Sequence, residues 1–420
     1  MQKYRIDTLQ HKTIMESLTD NISQSFKNKV LLTITCYLCY FFTATVVIVT
    51  GTVMLPISKY FDIPIDAVGF AFTYVNVSMW IAILVTGFLM TKFSIKKILL
   101  IASALGILVS IYTNIYPSFG TLELMFVFAG MSGGFFMAVG SYMIVHMYND
   151  HKVRAKNILF TDFFFSFGGV LTPIIASWLI TKNLEWYQIY LTLQITAVAI
   201  FILVMISDYS IFTKNKTVKS ESSLSLKSWN KSLYFIGIAA FLFLLGQLTY
   251  VGYGPAYYEK VLGWSSIDSS RPLAYFWAAQ CVGLFISPII AKRIPLKAIL
   301  PIFMAISTVL LYFMIFASSI SISLGAAAIF GLFNCYVYAG LLAYGTFQMK
   351  TPPPTLITTI LLFGTTGTAL STTLGAFILR KSGSLVTVMH SVVLFYFICL
   401  VFIILAVIFS QEKFHKDSAQ

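Results

Sequence analysis

The chain reads as a succession of apolar runs of roughly twenty residues, divided by short polar or Pro/Gly-marked breaks. At 1.5 Å per residue, a helix of that length crosses a hydrocarbon layer of about 30 Å. The runs fall at 30–56, 69–91, 97–114, 121–147, 158–181 and 186–207, then at 232–258, 272–291, 297–316, 320–348, 356–379 and 385–410. The pattern predicts an all-α membrane protein of twelve transmembrane helices. One long polar break lies among them, from Asp208 to Lys231, and it separates six runs from six. The expected organisation is therefore an N-terminal tail (1–29), a six-helix bundle (30–207), a linker (208–231), a second six-helix bundle (232–410) and a C-terminal tail (411–420).

Composition agrees with the pattern. Of the 420 residues, 58% are hydrophobic and 10% charged, and 38 are Phe; the mean hydropathy is +0.85. So few charges could not cover the surface of a soluble body this size. The net charge of +13 does not mark a nucleic-acid binder, because Lys and Arg fall in short clusters between apolar runs and form no basic face. With the N-terminus placed in the cytoplasm, inner segments hold 22 of the 28 Lys and Arg, so both termini are expected there. Residues 1–26 contain no apolar core of signal-peptide length, and the first run is expected to act as both targeting signal and first helix. The linker carries five Lys, which suits a segment lying near anionic headgroups.

An internal echo supports the division into halves. LMTKFSIKKILLI (Leu89–Ile101) follows run 2, and IIAKRIPLKAILPI (Ile289–Ile302) follows run 8, with Lys92 matching Lys292 and Lys97 matching Lys297. Run 4 places Gly130 and Gly134 on one helix face, where small residues allow close approach for either a moving contact or static packing. Cys36 and Cys39 form a CxxC inside an apolar run with no second ligand pair nearby, which points to packing and to no metal. Phosphate-binding loops, HExxH and paired catalytic carboxylates are not found, so neither enzyme activity nor a cofactor is expected.

Ionisable groups within apolar runs are costly and are candidates for function. Asp162, in FTDFFFSFGG, is expected about one turn into run 5. It reads either as a proton-coupling carboxylate or as a helix N-terminal acid paired with Lys92, Lys96 or Lys97. His146 and Glu123 read as interfacial. Gln247, Tyr250, Gly254 and Tyr258 follow helical spacing on run 7, and Asn334, Tyr338 and Tyr344 lie on run 10. These groups suit either hydrogen bonding to a polar solute or contacts between helices. The same two readings apply to Asn76, Gln194 and Gln280, with packing the favoured one.

The six-plus-six arrangement and the paired basic loops resemble the major facilitator superfamily over nearly the whole chain. GFLMTKFSIKK (Gly87–Lys97) is similar to the superfamily's loop motif but has Thr91 where an Asp is usual and Ser94 for the second Gly. VVIVTGTVMLPISKYF, FTDFFFSFGG, EWYQIY and LGQLTYVGYGPAYYEK resemble the TsgA group, whose broad fold is related to fucose-type sugar:proton symporters. The first 26 or so residues look like an addition to that group's pattern. The resemblance implies two pseudo-symmetric six-helix bundles that alternate access to a midplane cavity lined by runs 1, 4, 7 and 10. The chain is then expected to be a proton-coupled secondary transporter of a bacterial inner membrane, acting as a monomer on an unidentified small solute. Gln247, Tyr250, Asn334 and Tyr338 are the expected cavity residues, Asp162 the proton-coupling group, and Gly130, Gly134 and Gly87 the helix-packing positions. A non-transporting sensor or scaffold on the same fold, or a membrane-embedded enzyme, are the alternative readings.

Overall fold

A computed structural model describes residues 2–148, 150–212, 229–291, 294–348 and 354–410. Its helices are α1 (Gln2–Phe61), α2 (Ile65–Lys92), α3 (Ile95–Ile115), α4 (Phe119–Met147), α5 (His151–Thr181), α6 (Trp186–Leu193) and α7 (Ile195–Ile206) in the first half. The second half contains α8 (Lys231–Lys260), α9 (Ser266–Ala291), α10 (Leu296–Phe316), α11 (Ile320–Thr346), α12 (Pro354–Ser382) and α13 (Leu385–Ile408). Helices α6 and α7 form one crossing interrupted at Gln194. By length and composition, 11 crossings among the described residues can span a membrane. Helix α9 takes the remaining place, made more polar by Asp268, Arg271 and Gln280. Most of the expected linker and all of the expected C-terminal tail lie outside the described residues. The expected N-terminal tail is instead continuous with α1, because no Pro or Gly interrupts the chain between Gln2 and Val30.

Local chemistry sets the helix starts. Ser118 and Thr121 form a capping box at α4, with reciprocal bonds of 3.2 and 3.0 Å. The Asn230 carboxamide oxygen accepts from the Leu233 amide at α8 (2.9 Å), and Ser94 caps α3. The helix ends repeat between halves. Asp62 follows α1 and Gly263 follows α8, while Asn183 follows α5 and Gly383 follows α12, all with positive φ. Each pair is separated by nearly the same interval as Lys92 and Lys292.

The packing repeats in the same way. In the first half α1 packs on α4 and α5, α2 on α4, and α3 on α4 and α7; in the second, α8 packs on α11 and α12, α9 on α11, and α10 on α11 and α13. The halves meet through α2 with α12 and α5 with α9, which exchange under a two-fold operation, and through α1 with α8, which lie beside the axis. Gly130 and Gly134 lie where an added Cβ would overlap the carbonyls of Val75 and Met79. They seat α4 against α2 inside one half, which is a packing contact within a bundle. Gly87 is a correction to the expected packing set: it is exposed, and an added Cβ there meets open space. Cys36 and Cys39 are buried, unbonded and packed beside Gly140 of α4.

At the end of the bundle where α1 enters and α13 finishes, hereafter the basic face, three helices are tied together. The Lys96 ammonium donates to the carbonyls of Met205 (3.0 Å) and Ser207 (3.1 Å), capping the C-terminus of α7 where the helix dipole favours a cation. The Asn28 side chain and the Asp208 backbone exchange two bonds of 2.8 Å. The Ser210 hydroxyl and amide hold the Asp208 carboxyl below the usual carboxylate range. Lys92 and Lys97 rest over the rings of their neighbours Phe88 and Phe93, and Thr91 bonds back to Phe88. Lys96→Ala is therefore expected to cost about 1 kcal/mol of first-half stability, in line with a charged C-terminal cap, and Lys92→Ala and Lys97→Ala less. Thermal unfolding of the purified variants in one detergent checks the order.

Candidate functional site

Between the halves lies a cavity of about 220 Å³. Its walls come from α1, α2, α4 and α5 on one side and α8, α9, α11 and α12 on the other. The expected four runs are thus joined by four more helices. On α8 the wall residues are Phe243, Leu244, Gln247 and Leu248, the i, i+1, i+4, i+5 pattern of one helical face. One turn further along, Val251 meets Gly51 of α1 so closely that a Cβ on Gly51 would overlap the Val251 carbonyl. That backbone contact is the roof of the cavity.

Beyond the roof, towards the face opposite the basic one, the halves touch directly. The Asn76 amide donates to the Thr372 hydroxyl (3.0 Å), Tyr253 donates to the Thr372 carbonyl (2.9 Å), and the Thr73 and Thr373 hydroxyls lie 2.8 Å apart. Two ion pairs bridge the halves at the outermost level, Lys59 with Glu259 at 3.6 Å and Arg380 with Asp66 at 2.8 Å. Both cations are more than half exposed, so each pair contributes at most about 1 kcal/mol and orients the ends more than it holds them. In the other direction the walls loosen. Asp162 and Leu361, the wall residues of α5 and α12 nearest the basic face, are exposed, whereas Gln247 and Asn334 are buried. The cavity is closed at the opposite face and opens towards the basic one.

Of the residues named from sequence, the structure brings Asp162, Gln247, Asn334 and Tyr338 to this cavity, together with Gln280. Asp162 is not an acid in the first turn of α5. The helix begins at His151, which places Asp162 about three turns in. Its proposed lysine partners are engaged elsewhere, Lys96 on the end of α7 and Lys92 and Lys97 on neighbouring rings. Asp162 has no hydrogen-bond or ion-pair partner among the described residues, and the described lining contains no Lys, Arg or His. Its charge is felt by two phenols, Tyr40 of α1 and Tyr338 of α11.

Across the cavity a relay fixes two amides. Tyr396 of α13, fully buried, donates to the Asn334 carboxamide oxygen at 3.1 Å, and the Asn334 amino group faces the Gln247 carboxamide oxygen at 3.5 Å. Gln247 is left with its amino group as the donor end.

Tyr250 does not reach the cavity. It lies past the Gly51–Val251 roof, where its hydroxyl sits 3.4 Å from that of Tyr258, which donates to the Met314 carbonyl. A shared helix face was sound geometry; the depth of the roof was not readable from spacing. Trp80, Trp277 and Tyr40, which were not named from sequence, also line the wall. Reading polar and aromatic groups at equal depth on runs 1, 2 and 8 would have found them. His146 bonds the Tyr142 carbonyl and stacks on its ring at the end of α4.

The Major Facilitator Superfamily family model matches residues 36–376. Among curated relatives, a TsgA homolog of Enterobacter sp. (strain 638) is 29% identical over 364 residues, covering 85% of this chain and 90% of its own length. Protein TsgA of Shigella flexneri is 30% identical over 356 residues, with coverage of 85% and 90%. Among solved structures, a bacterial homolog of the human lysosomal transporter Spinster, in an inward-facing and unoccupied conformation, superposes with a TM-score of 0.67 at 13% identity. The superposition covers 91% of this chain and 98% of that one.

The Thr73–Thr373 contact gives a direct test of the roof geometry. A Thr73→Cys/Thr373→Cys chain is expected to cross-link spontaneously on mild oxidation, since the two hydroxyls already touch. A mobility shift on non-reducing gels after protease nicking of the linker checks it. The five native cysteines are buried and should stay silent.

Proposed function

The chain belongs to the Major Facilitator Superfamily and is a multi-pass membrane transporter, and from that membership we propose that it carries a small solute by proton-coupled alternating access. The observation that carries the reading is the placement of a lone carboxylate, Asp162, in a cavity sealed on one side by contacts between two pseudo-symmetric halves. Rocking the halves about that cavity opens one face as it closes the other. The roof is suited to such a motion: it consists of one backbone contact, a few hydroxyl and amide bonds, and two exposed ion pairs, each worth about 1 kcal/mol.

The excess of Lys and Arg on the basic face supports a cytoplasmic placement of that face, and the bacterial source of the TsgA relatives supports a bacterial cell membrane. The arrangement described is then inward-facing. A carboxylate that has no cationic partner and faces the open side can take up a proton from the cytoplasm or release one to it. Protonation would change the charge of the cavity and so its affinity for the solute.

The experiment is solute-induced proton movement in proteoliposomes holding the full chain, read with an internal pH dye. Transport that accelerates with an imposed proton gradient is expected. Asp162→Asn should abolish gradient-driven accumulation. Accumulation in the parent chain that ignores the gradient removes the coupling.

A further inference from the structure

The charge and hydrogen-bonding inventory of the cavity selects among solutes. Resting on the transporter reading above, we infer that the solute is a small organic monocation with an apolar or aromatic body, its positive end facing Asp162 on α5 and its far end reaching Gln247 on α8.

Three observations lead there. Asp162 is the one carboxylate in the described lining, and no cation offsets it. An anionic solute would place a second negative charge beside Asp162, whereas a monocation neutralises the first. Six rings, Tyr40, Trp80, Phe165, Phe243, Trp277 and Tyr338, share the wall with aliphatic side chains, and π faces attract an ammonium group and stack on a flat body. The Tyr396–Asn334–Gln247 relay turns the Gln247 amino group outward as a donor, and Tyr338, Trp80 and Trp277 each hold a buried donor with no protein partner among the described residues. That surplus suits a solute with a hydrogen-bond acceptor at its uncharged end. Size sets a further limit. About 220 Å³ lies below the roughly 300–1,000 Å³ of drug-sized sites, so a single-ring cation fits and a multi-ring one does not.

One carboxylate then serves two cations. A proton and the solute compete for Asp162, so each displaces the other, and proton entry on one side of the membrane drives solute movement in the opposite direction. The titratable groups that face Asp162 from the packed elements are Tyr40 of α1 and Tyr338 of α11, while the Cys281 thiol of α9 lies against the neighbouring Phe163 carbonyl and Arg154 and Lys156 stand further along α5 towards the basic face. Phenols and thiols stay neutral below about pH 7, so a loss of cation binding on acidification within that range reports the carboxylate.

The test is equilibrium binding to the full chain in lipid nanodiscs. The probes are benzyltrimethylammonium, its 4-acetyl derivative, the uncharged isostere neopentylbenzene and the anion benzenesulfonate. The two cations should bind, the acetyl one more tightly, and both should weaken as the pH falls through this range. Asp162→Asn should weaken them by about thirtyfold or more, as expected for removing the partner of a desolvated charge, with the pH effect gone. Tyr396→Phe should erase the advantage of the acetyl derivative without changing the pH effect. Benzenesulfonate or neopentylbenzene binding as tightly as the cations, no binding of either cation, or cation binding that Asp162→Asn leaves unchanged would each overturn the inference. If Asp162→Asn does not fold, the charge series and the pH series on the parent chain decide alone. Proton-coupled transport of an anion would sink this inference and spare the transporter reading, while cation binding without any flux would do the reverse.

Discussion

Hydrocarbon offers no hydrogen-bond partner, so every polar group carried into it must be answered inside the protein. The constraint is visible along the helices. Thr35, Thr43, Thr45, Thr50, Thr86 and Ser103 each donate back to a carbonyl three or four residues earlier. With that demand met locally, the many hydroxyls of these helices say little about function. The groups that do inform are those the helices leave unanswered. Several lie on the wall of one cavity, where Asp162 is without a partner and Tyr338, Trp277 and Gln280 hold unbonded polar atoms.

The two halves share a scaffold but not a chemistry. Left-handed residues end corresponding helices in both, and the contacts between helices exchange under the same two-fold relation. The functional groups break the relation. Stepping from Asp162 by the interval that relates Lys92 to Lys292 arrives at Leu362, and stepping from Lys96 arrives at Leu296. The amide relay belongs to the second half only. A cavity with its charge on one wall and its amides on the other binds a solute in one orientation, which a symmetric cavity could not enforce. On the proposed alternating-access mechanism, the symmetric contacts support the motion while the asymmetric groups decide what is carried.

The same distinction explains what could be read from the sequence. Hydrophobic period and Lys/Arg spacing gave the helix number, the two halves and the family resemblance, because the bilayer imposes them on each segment separately. Gln247, Asn334 and Tyr338 stood out because polar groups on apolar helices are rare. Depth was harder. Asp162 was expected one turn into its helix because the polar stretch before it resembled a loop, yet α5 already begins at His151. Tyr250 shares a face with Gln247 but lies beyond a roof that only the meeting of Gly51 with Val251 defines. Both depend on how far apart two helices sit along the membrane normal, a relation between segments distant in sequence that no single segment encodes. Gly87 failed for the complementary reason: a motif names a residue without naming a neighbour, and here there is none within reach.

The roof also bears on how such a cavity can be both selective and mobile. If the halves were held at the opposite face by a broad interdigitated core, opening would expose apolar area at about 25 cal/mol per Å², and the closed arrangement would be a trap. The contacts at the centre of that face are instead a glycine against a carbonyl, paired threonines, an asparagine and a tyrosine, with exposed ion pairs at the rim. On the alternating-access mechanism proposed above, each exchanges its partner for water as the face opens, and the net difference between arrangements then rests on a few bonds of about 1 kcal/mol. A balance that shallow is within reach of one charge neutralised at Asp162, whether by a proton or by a cationic solute, and that is the scale on which a transporter has to work if either cation is to tip it.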